Sequence, residues 1–230
     1  RLESGASFLQ VTANAFGGDL VGVQLDGATV AGNVLAISAQ SCLGDGVVIN
    51  GAQRNELDVL AQLNAGNGVT VSGGARENRF TAVVAHNNTN DGVRFASGAE
   101  SHVVDGLSLS LNRNGLVVDS GARNNTFRSL NARLNRENGV LVQGAGTTGN
   151  KFLSPRIGAD GFPHGGNGGD GIRIEAGASR NIVGGAGVGA HIRNNTGAGV
   201  RISGSGTSEN AVLGSVLFND VVRQLAGVLI

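Results

Sequence analysis

A short segment, Gly-Val-x-[Val/Ile/Phe], returns along this chain at a near-constant spacing, and that period constrains the fold more than any other feature. It occurs as Gly22-Val23-Gln24-Leu25, Gly46-Val47-Val48-Ile49, Gly68-Val69-Thr70-Val71 and Gly92-Val93-Arg94-Phe95. It continues as Gly115-Leu116-Val117-Val118, Gly139-Val140-Leu141-Val142, Gly171-Ile172-Arg173-Ile174 and Gly199-Val200-Arg201-Ile202. Successive glycines are 24, 22, 24, 23, 24, 32 and 28 residues apart, so two coils carry insertions.

Each copy has the same internal grammar. Two apolar residues flank one outward residue, a Gly-Ala or Gly-Ser turn follows, and then an Asn: Asn33, Asn55, Asn78, Asn125, Asn150, Asn181 and Asn210, with His102 standing in once. Inward apolar residues come two positions later (Leu57, Phe80, Val104, Phe127, Phe152, Val212), then a second apolar stretch. The coil closes on another Asn: Asn64, Asn87 or Asn88, Asn112, Asn135, Asn194 and Asn219. Short strands of this kind bury nothing alone, but stacked at ~4.8 Å they form parallel sheets around a continuous core. Gly and Asn mark corners that need left-handed backbone, and Asn side chains at one corner are expected to bond along the stack as a ladder. Phe residues at one recurring position should stack inside. The expectation is an all-β, right-handed parallel β-helix of about ten coils of roughly 23 residues, one domain over 1–230 with an inserted loop at about 157–170.

These residues, above all Asn167 to Ile202, resemble the parallel β-helix repeats of bacterial surface and secreted proteins with the pectin-lyase-like fold. The resemblance covers nearly the whole chain and implies a fold, not a reaction. Such proteins include polysaccharide lyases, hydrolases and epimerases, phage tail-spikes and adhesins. The Asp-Pro-His-Glu and Asp-Asp…Gly-His-Gly patterns of the enzymes do not occur in this sequence.

Composition removes several function classes. The chain has 40 Gly, 8 Phe and no Trp, Tyr or Met, with 17 basic and 17 acidic residues. Zero net charge lacks the electrostatic footprint of a nucleic-acid binder, and no apolar run reaches the length of a membrane span. Cys42 is read as a small buried hydrophobe. The first residue is Arg1, which suggests a processed or excised piece of a longer protein.

Two places depart from the repeat. The insertion IGADGFPHGGNGGD brings Asp160, His164 and Asp170 near Arg156 and Arg173, an acid–base set that could act on a sugar. Its Gly165-Gly166-Asn167-Gly168-Gly169-Asp170 run is a single copy of a pattern that binds calcium only in arrays, so bound calcium is the minor alternative to no cofactor, and no metal site is assigned. The outward residues of the first strand, Gln24, Val48, Thr70, Arg94, Val117, Leu141, Arg173 and Arg201, form the second, with Arg94, Arg156, Arg173 and Arg201 as binding candidates. Its apolar centre suggests either a contact surface or a patch covered by a neighbouring loop. Three Asn-x-Thr sites, at Asn87, Asn124 and Asn194, fall at corners and are explained by turn geometry. The apolar last twelve residues suggest self-association through an uncapped C-terminal coil.

The leading expectation is therefore a non-enzymatic, secreted or cell-surface rod for adhesion, display or assembly, its partner another protein chain or a polysaccharide. The alternative is a polysaccharide-binding or polysaccharide-modifying module that uses the 157–173 loop and the adjacent strand face.

Overall fold

The computed structural model describes residues 1–3, 5–158, 165–185, 189–214, 216–218 and 228–229. Consecutive coils pair strand on strand in parallel, giving an all-β solenoid of about 8 turns with about 24 residues per turn. The expected all-β parallel solenoid is what the chain forms, its count of about ten coils differing slightly from this number.

The repeated Gly-Val-x-Val segments form one face, a nine-stranded sheet of short strands such as Val47–Asn50, Val69–Ser72 and Val140–Gln143. The last described strand, Val228–Leu229, pairs onto Val200–Ser203. The second face begins as four long strands, Gln10–Phe16, Val34–Gln40, Glu56–Gln62 and Arg79–His86. Register then shifts between Leu57 and Asp58, so that Thr81 enters as an extra residue. Beyond it each long strand is broken in two, as in Thr126–Arg128 with Leu130–Arg133 and Lys151–Leu153 with Arg156–Ile157. Ser129 and Ser154, at φ 52° and 53°, make this break. It is a third corner that the sequence pattern does not announce, since a serine between apolar residues also fits a continuous strand.

Period-two alternation sends Val47, Ile49, Val69, Val71, Val140 and Val142 inward from one face and Leu57, Phe80, Phe127 and Phe152 from the other, all buried. Each such side chain contributes ~1.5–3 kcal/mol. Phe127 and Phe152 stack with ring centroids 5.2 Å apart and an interplanar angle of 9°. Phe80 is separated from them by Val104 in its own column, and Phe95 of the opposite face bridges the gap edge-on to Phe80 and Phe127.

The glycine that opens each first-face strand is required for a different reason from the one its sequence context suggests. It is not left-handed. A Cβ on Gly115 would lie 2.5 Å from the carbonyl oxygen of Gly139 and 3.0 Å from Nδ2 of Asn135, so contact between coils excludes any side chain. The left-handed positions precede the ladder residues and hold mostly non-glycine residues, among them Arg54, Glu77, Leu63, Leu111 and Leu134.

Candidate functional site

Three columns of polar side chains run along the stack. In the first, backbone N–H and Nδ2 of each Asn donate to Oδ1 of the Asn one coil on, as Asn33 to Asn55 (3.0 and 2.8 Å) and Asn150 to Asn181 (3.0 and 3.0 Å). Nδ2 also donates to a carbonyl of the preceding corner, as Asn125 to Ala99. Three bonds at ~0.5–1.5 kcal/mol each offset the ~1–2 kcal/mol of a left-handed residue with a side chain, such as Arg54 before Asn55 or Asn124 before Asn125. His102 completes this column with its ring: Nδ1 accepts the Asn78 N–H at 3.1 Å and Nε2 donates to the Ala75 carbonyl at 3.0 Å. Burial pulls its pKa down to about 4, against the two backbone hydrogen bonds, so the neutral Nε2–H tautomer fills the site.

The second column comprises Asn64, Asn88, Asn112, Asn135, Asn167 and Asn195. Of the two adjacent choices it takes Asn88 over Asn87, and Asn195 replaces the expected Asn194. Asn87 and Asn194 are the left-handed residues before the ladder, at φ 56° and 58°. Asn219 lies outside the described residues. Cys42 occupies the first position, its N–H donating to Asn64 Oδ1 at 3.0 Å. Burial, then Asp19, pushes its thiol pKa up, in keeping with a packed thiol.

The third column was invisible to the pattern because it mixes acids and amides: Asp45, Asn67, Asp91, Asn114, Asn138 and Asp170. Its polarity is reversed, with the N–H of the later coil donating to the earlier side chain, as Asn138 to Asn114 (3.0 Å) and Asp170 to Asn138 (2.9 Å). Buried carboxylates are matched by arginines: in this column Asp91 by Arg113 and Asp170 by Arg201, and at the far end of the strand Leu116–Val118 Asp119 by Arg94, each closest pair at 2.8 Å.

This arrangement decides the fate of the residues singled out from sequence. Arg94, Arg173 and Arg201 do share one outward face, with Arg173 beside Arg201 in register and Val117 and Leu141 between Arg173 and Arg94. Each is already engaged: Arg94 with Asp119, Arg201 with Asp170, Arg173 with Glu175 at 2.7 Å. Val117 points outward yet is only 3% exposed, because the Arg94 stem reaches past it to Asp119. Arg156 stands on the other sheet, in register with Asn131 and His191. Asp170 is buried, holding the Ala198 N–H at 2.8 Å as well as Arg201; with Asn167 in the second column, the glycine-rich run is used structurally. Asp160 and His164 lie outside the described residues. Among the described residues no three His, Cys, Asp or Glu side chains come together as a metal site, and no helix is long and apolar enough to cross a membrane.

Two depressions formed by the described residues lie elsewhere, over the outward side of the second face. One depression of about 240 Å³ is lined by Thr12, Val34, Ala36, Glu56, Asp58 and Thr81. A second of about 420 Å³ is lined by Glu77, Arg79, Ser101, Val103, Asp105 and Arg128. Both draw on the strand Arg79–His86, and Glu56 lies in register beside Arg79. Asp105 bridges Arg79 (2.8 Å) and Arg128 (3.0 Å). Burial raises its pKa, and the hydrogen bonds and charges of both arginines outweigh that, holding the carboxyl below its ordinary range. Two guanidiniums therefore share one carboxylate, while Glu56 and Asp58 are exposed acids two residues apart on one strand. The paired depressions span six consecutive strands from Gln10–Phe16 to Thr126–Arg128, ~24 Å at one strand spacing per coil. Sequence reasoning missed this face, although Glu56, Arg79, Asp105 and Arg128 recur one coil apart and that recurrence was the available signal.

No known protein family profile matches the chain, and no curated protein matches it in sequence. A solved structure that is similar in backbone is the A-module of the mannuronan C-5 epimerase AlgE4 of Azotobacter vinelandii. The TM-score is 0.42 at 14% identity, over 98% of this chain and 90% of that one.

Proposed function

We propose that the chain is a polysaccharide-binding β-solenoid whose second face carries the polymer along the stack. The observation that carries this reading is the pair of adjoining depressions, about 240 and 420 Å³, lined by residues of successive coils. An extended polymer is the ligand best matched to depressions that follow one another along a stack with ~4.8 Å between strands. At the end lined by Glu77, Arg79, Asp105 and Arg128, the two guanidiniums, which share Asp105, suit a carboxylate or sulfate on the sugar, since a guanidinium recognises such groups with paired hydrogen bonds. Glu56 and Asp58 suit hydroxyl donors at the other end. The reading implies a secreted or cell-surface protein, where such polymers lie.

The test is affinity electrophoresis and calorimetry against alginate, pectate and neutral glucans. Arg79→Ala with Arg128→Ala should weaken binding to the acidic polymers at least roughly tenfold, the loss of two charge-assisted contacts. Unchanged binding in that variant, or none to any polymer by the unaltered chain, would refute the proposal. Ultraviolet absorbance of unsaturated products, with Asp160→Ala and His164→Ala as controls, tells binding apart from polysaccharide modification.

A second reading, a rod for adhesion, display or assembly, is favoured by one observation: the arginines of the first face are taken up by carboxylates of the same chain. Failure of every polymer in the panel would favour it.

A further inference from the structure

Ion pairs from coil to coil match Arg54 with Glu77, Arg94 with Asp119, Arg113 with Asp91 and Arg123 with Glu100. On the second face Arg79 and Arg128 divide Asp105 between them. Arg133, Lys151 and Arg156 are different. Among the described residues these three make neither an ion pair nor a side-chain hydrogen bond, and all are exposed.

The stack gathers them on one side. Arg133 ends the strand Leu130–Arg133, and Arg156 opens the strand Arg156–Ile157 of the next coil, in register with Asn131. His191, also exposed, follows in register with Arg156, and Lys151 stands in register with Thr126. From one strand spacing and the rise of two residues, the Cα atoms of Arg133 and Arg156 are on the order of 8 Å apart, so two long side chains can reach one small group. Neither outward column that holds these arginines contains an acid among the described residues, from Asn14 and Phe16 at one end to His191 and Arg193 at the other. Like charges on neighbouring strands repel, and no described carboxylate relieves them here. An anionic ligand would.

Position and donor number narrow that ligand. Arg128, which lines the larger depression, and Arg133 belong to one coil, separated by the corner at Ser129. The cationic patch thus begins where the depressions end, and a chain following the second face passes from them onto Lys151, Arg133 and Arg156. A carboxylate has two oxygens in one plane, and a single guanidinium fork engages both. A sulfate ester has three terminal oxygens about a tetrahedral centre, so Arg133, Arg156 and His191, on three successive coils, can each donate to one.

We propose that this patch binds the sulfate-ester groups of a polysaccharide that continues from the depressions, so that the protein prefers a sulfated polymer to one carrying only carboxylates. The proposal rests on the reading that a polymer follows the second face, but the residues it invokes line neither depression.

The experiment is calorimetry with dextran sulfate and carboxymethyl-dextran, matched in charge per sugar and in ionic strength, so that backbone and net charge cancel. The unaltered chain should bind dextran sulfate at least roughly tenfold more tightly. Arg133→Gln with Arg156→Gln should remove most of that preference, weakening dextran sulfate roughly tenfold and carboxymethyl-dextran less than about threefold. Arg79→Ala with Arg128→Ala, by contrast, should weaken both. The glutamine variant should melt with the unaltered chain, since both side chains are exposed; if it does not fold, Arg156→Gln alone decides. Equal affinity for the two charged dextrans, or a glutamine variant that binds dextran sulfate as the unaltered chain does, overturns this proposal and leaves the polysaccharide reading in place. Binding to none of alginate, pectate and the two dextrans overturns both.

Discussion

His102 is the residue at which the ladder becomes sensitive to acid. In the folded chain its ring is neutral, accepting from Asn78 and donating to Ala75, with a pKa of about 4. In the unfolded chain the ring titrates near its ordinary value of about 6.5. As pH falls from ~6.5 towards ~4 the unfolded state takes up a proton that the folded state refuses, so stability declines across that window and is unaffected above it. The loss is on the order of 3 kcal/mol. Urea unfolding at pH 7 and at pH 4.5 measures it, and His102→Asn should largely remove this window, because Asn is the residue the other coils use there. An Asn within the ladder behaves differently. Asn112→Ala leaves the Asn88 N–H and one of the two Nδ2 hydrogens without an acceptor in a buried site, the other still donating to the Ala61 carbonyl, at a cost of about 2–4 kcal/mol at any pH. Equal midpoints for Asn112→Ala and wild type in urea would contradict the ladder's role.

At the scale of strands and corners, the closeness of coils is set by atoms that side chains must not occupy. Gly115→Ala forces a Cβ against the Gly139 carbonyl and the Asn135 amide. Neither is free to move, since both belong to continuous columns of hydrogen bonds. The expected cost is about 1–3 kcal/mol, from overpacking, read as a lower midpoint in thermal unfolding. Gly121, which is left-handed with nothing within 4 Å of a would-be Cβ, tests the other meaning of glycine in the same coil: any cost of Gly121→Ala comes from φ alone. Much of this level was legible in advance. The inward valines, the paired Asn corners and the neutral role of Cys42 follow from residues adjacent in sequence. The third corner at Ser129 and Ser154 was not, because serine is compatible with both strand and turn.

Over the whole molecule, each coil touches its neighbours above and below, so stability is close to a sum of coil and interface contributions. Amide hydrogen exchange should accordingly be slowest in the central coils, in strands such as Val93–Phe95, Leu116–Val118 and Val140–Gln143, and faster towards Val23–Asp26. Uniform protection from end to end would mean a single cooperative unit instead. The same architecture explains why ion pairs cluster between residues about 23 to 25 apart, as in Arg54–Glu77, Arg123–Glu100 and Arg94–Asp119. One coil of chain separates partners that the stack places side by side.

The amino-acid sequence by itself determined the period, the inward and outward residues of the strands, and the two asparagine corners. The last two depend on neighbours within a few residues, through alternation, turn preference and backbone strain, and the period is the recurrence of that local pattern. Tertiary structure alone decided which of two adjacent asparagines joins a ladder, that acids and amides form a third column, and that Arg94, Arg173 and Arg201 are neutralised. It also placed two adjoining depressions on the second face. Those facts depend on axial register between residues a full coil apart, and register is set by coil length, insertions and the extra residue at Thr81, which no local pattern encodes.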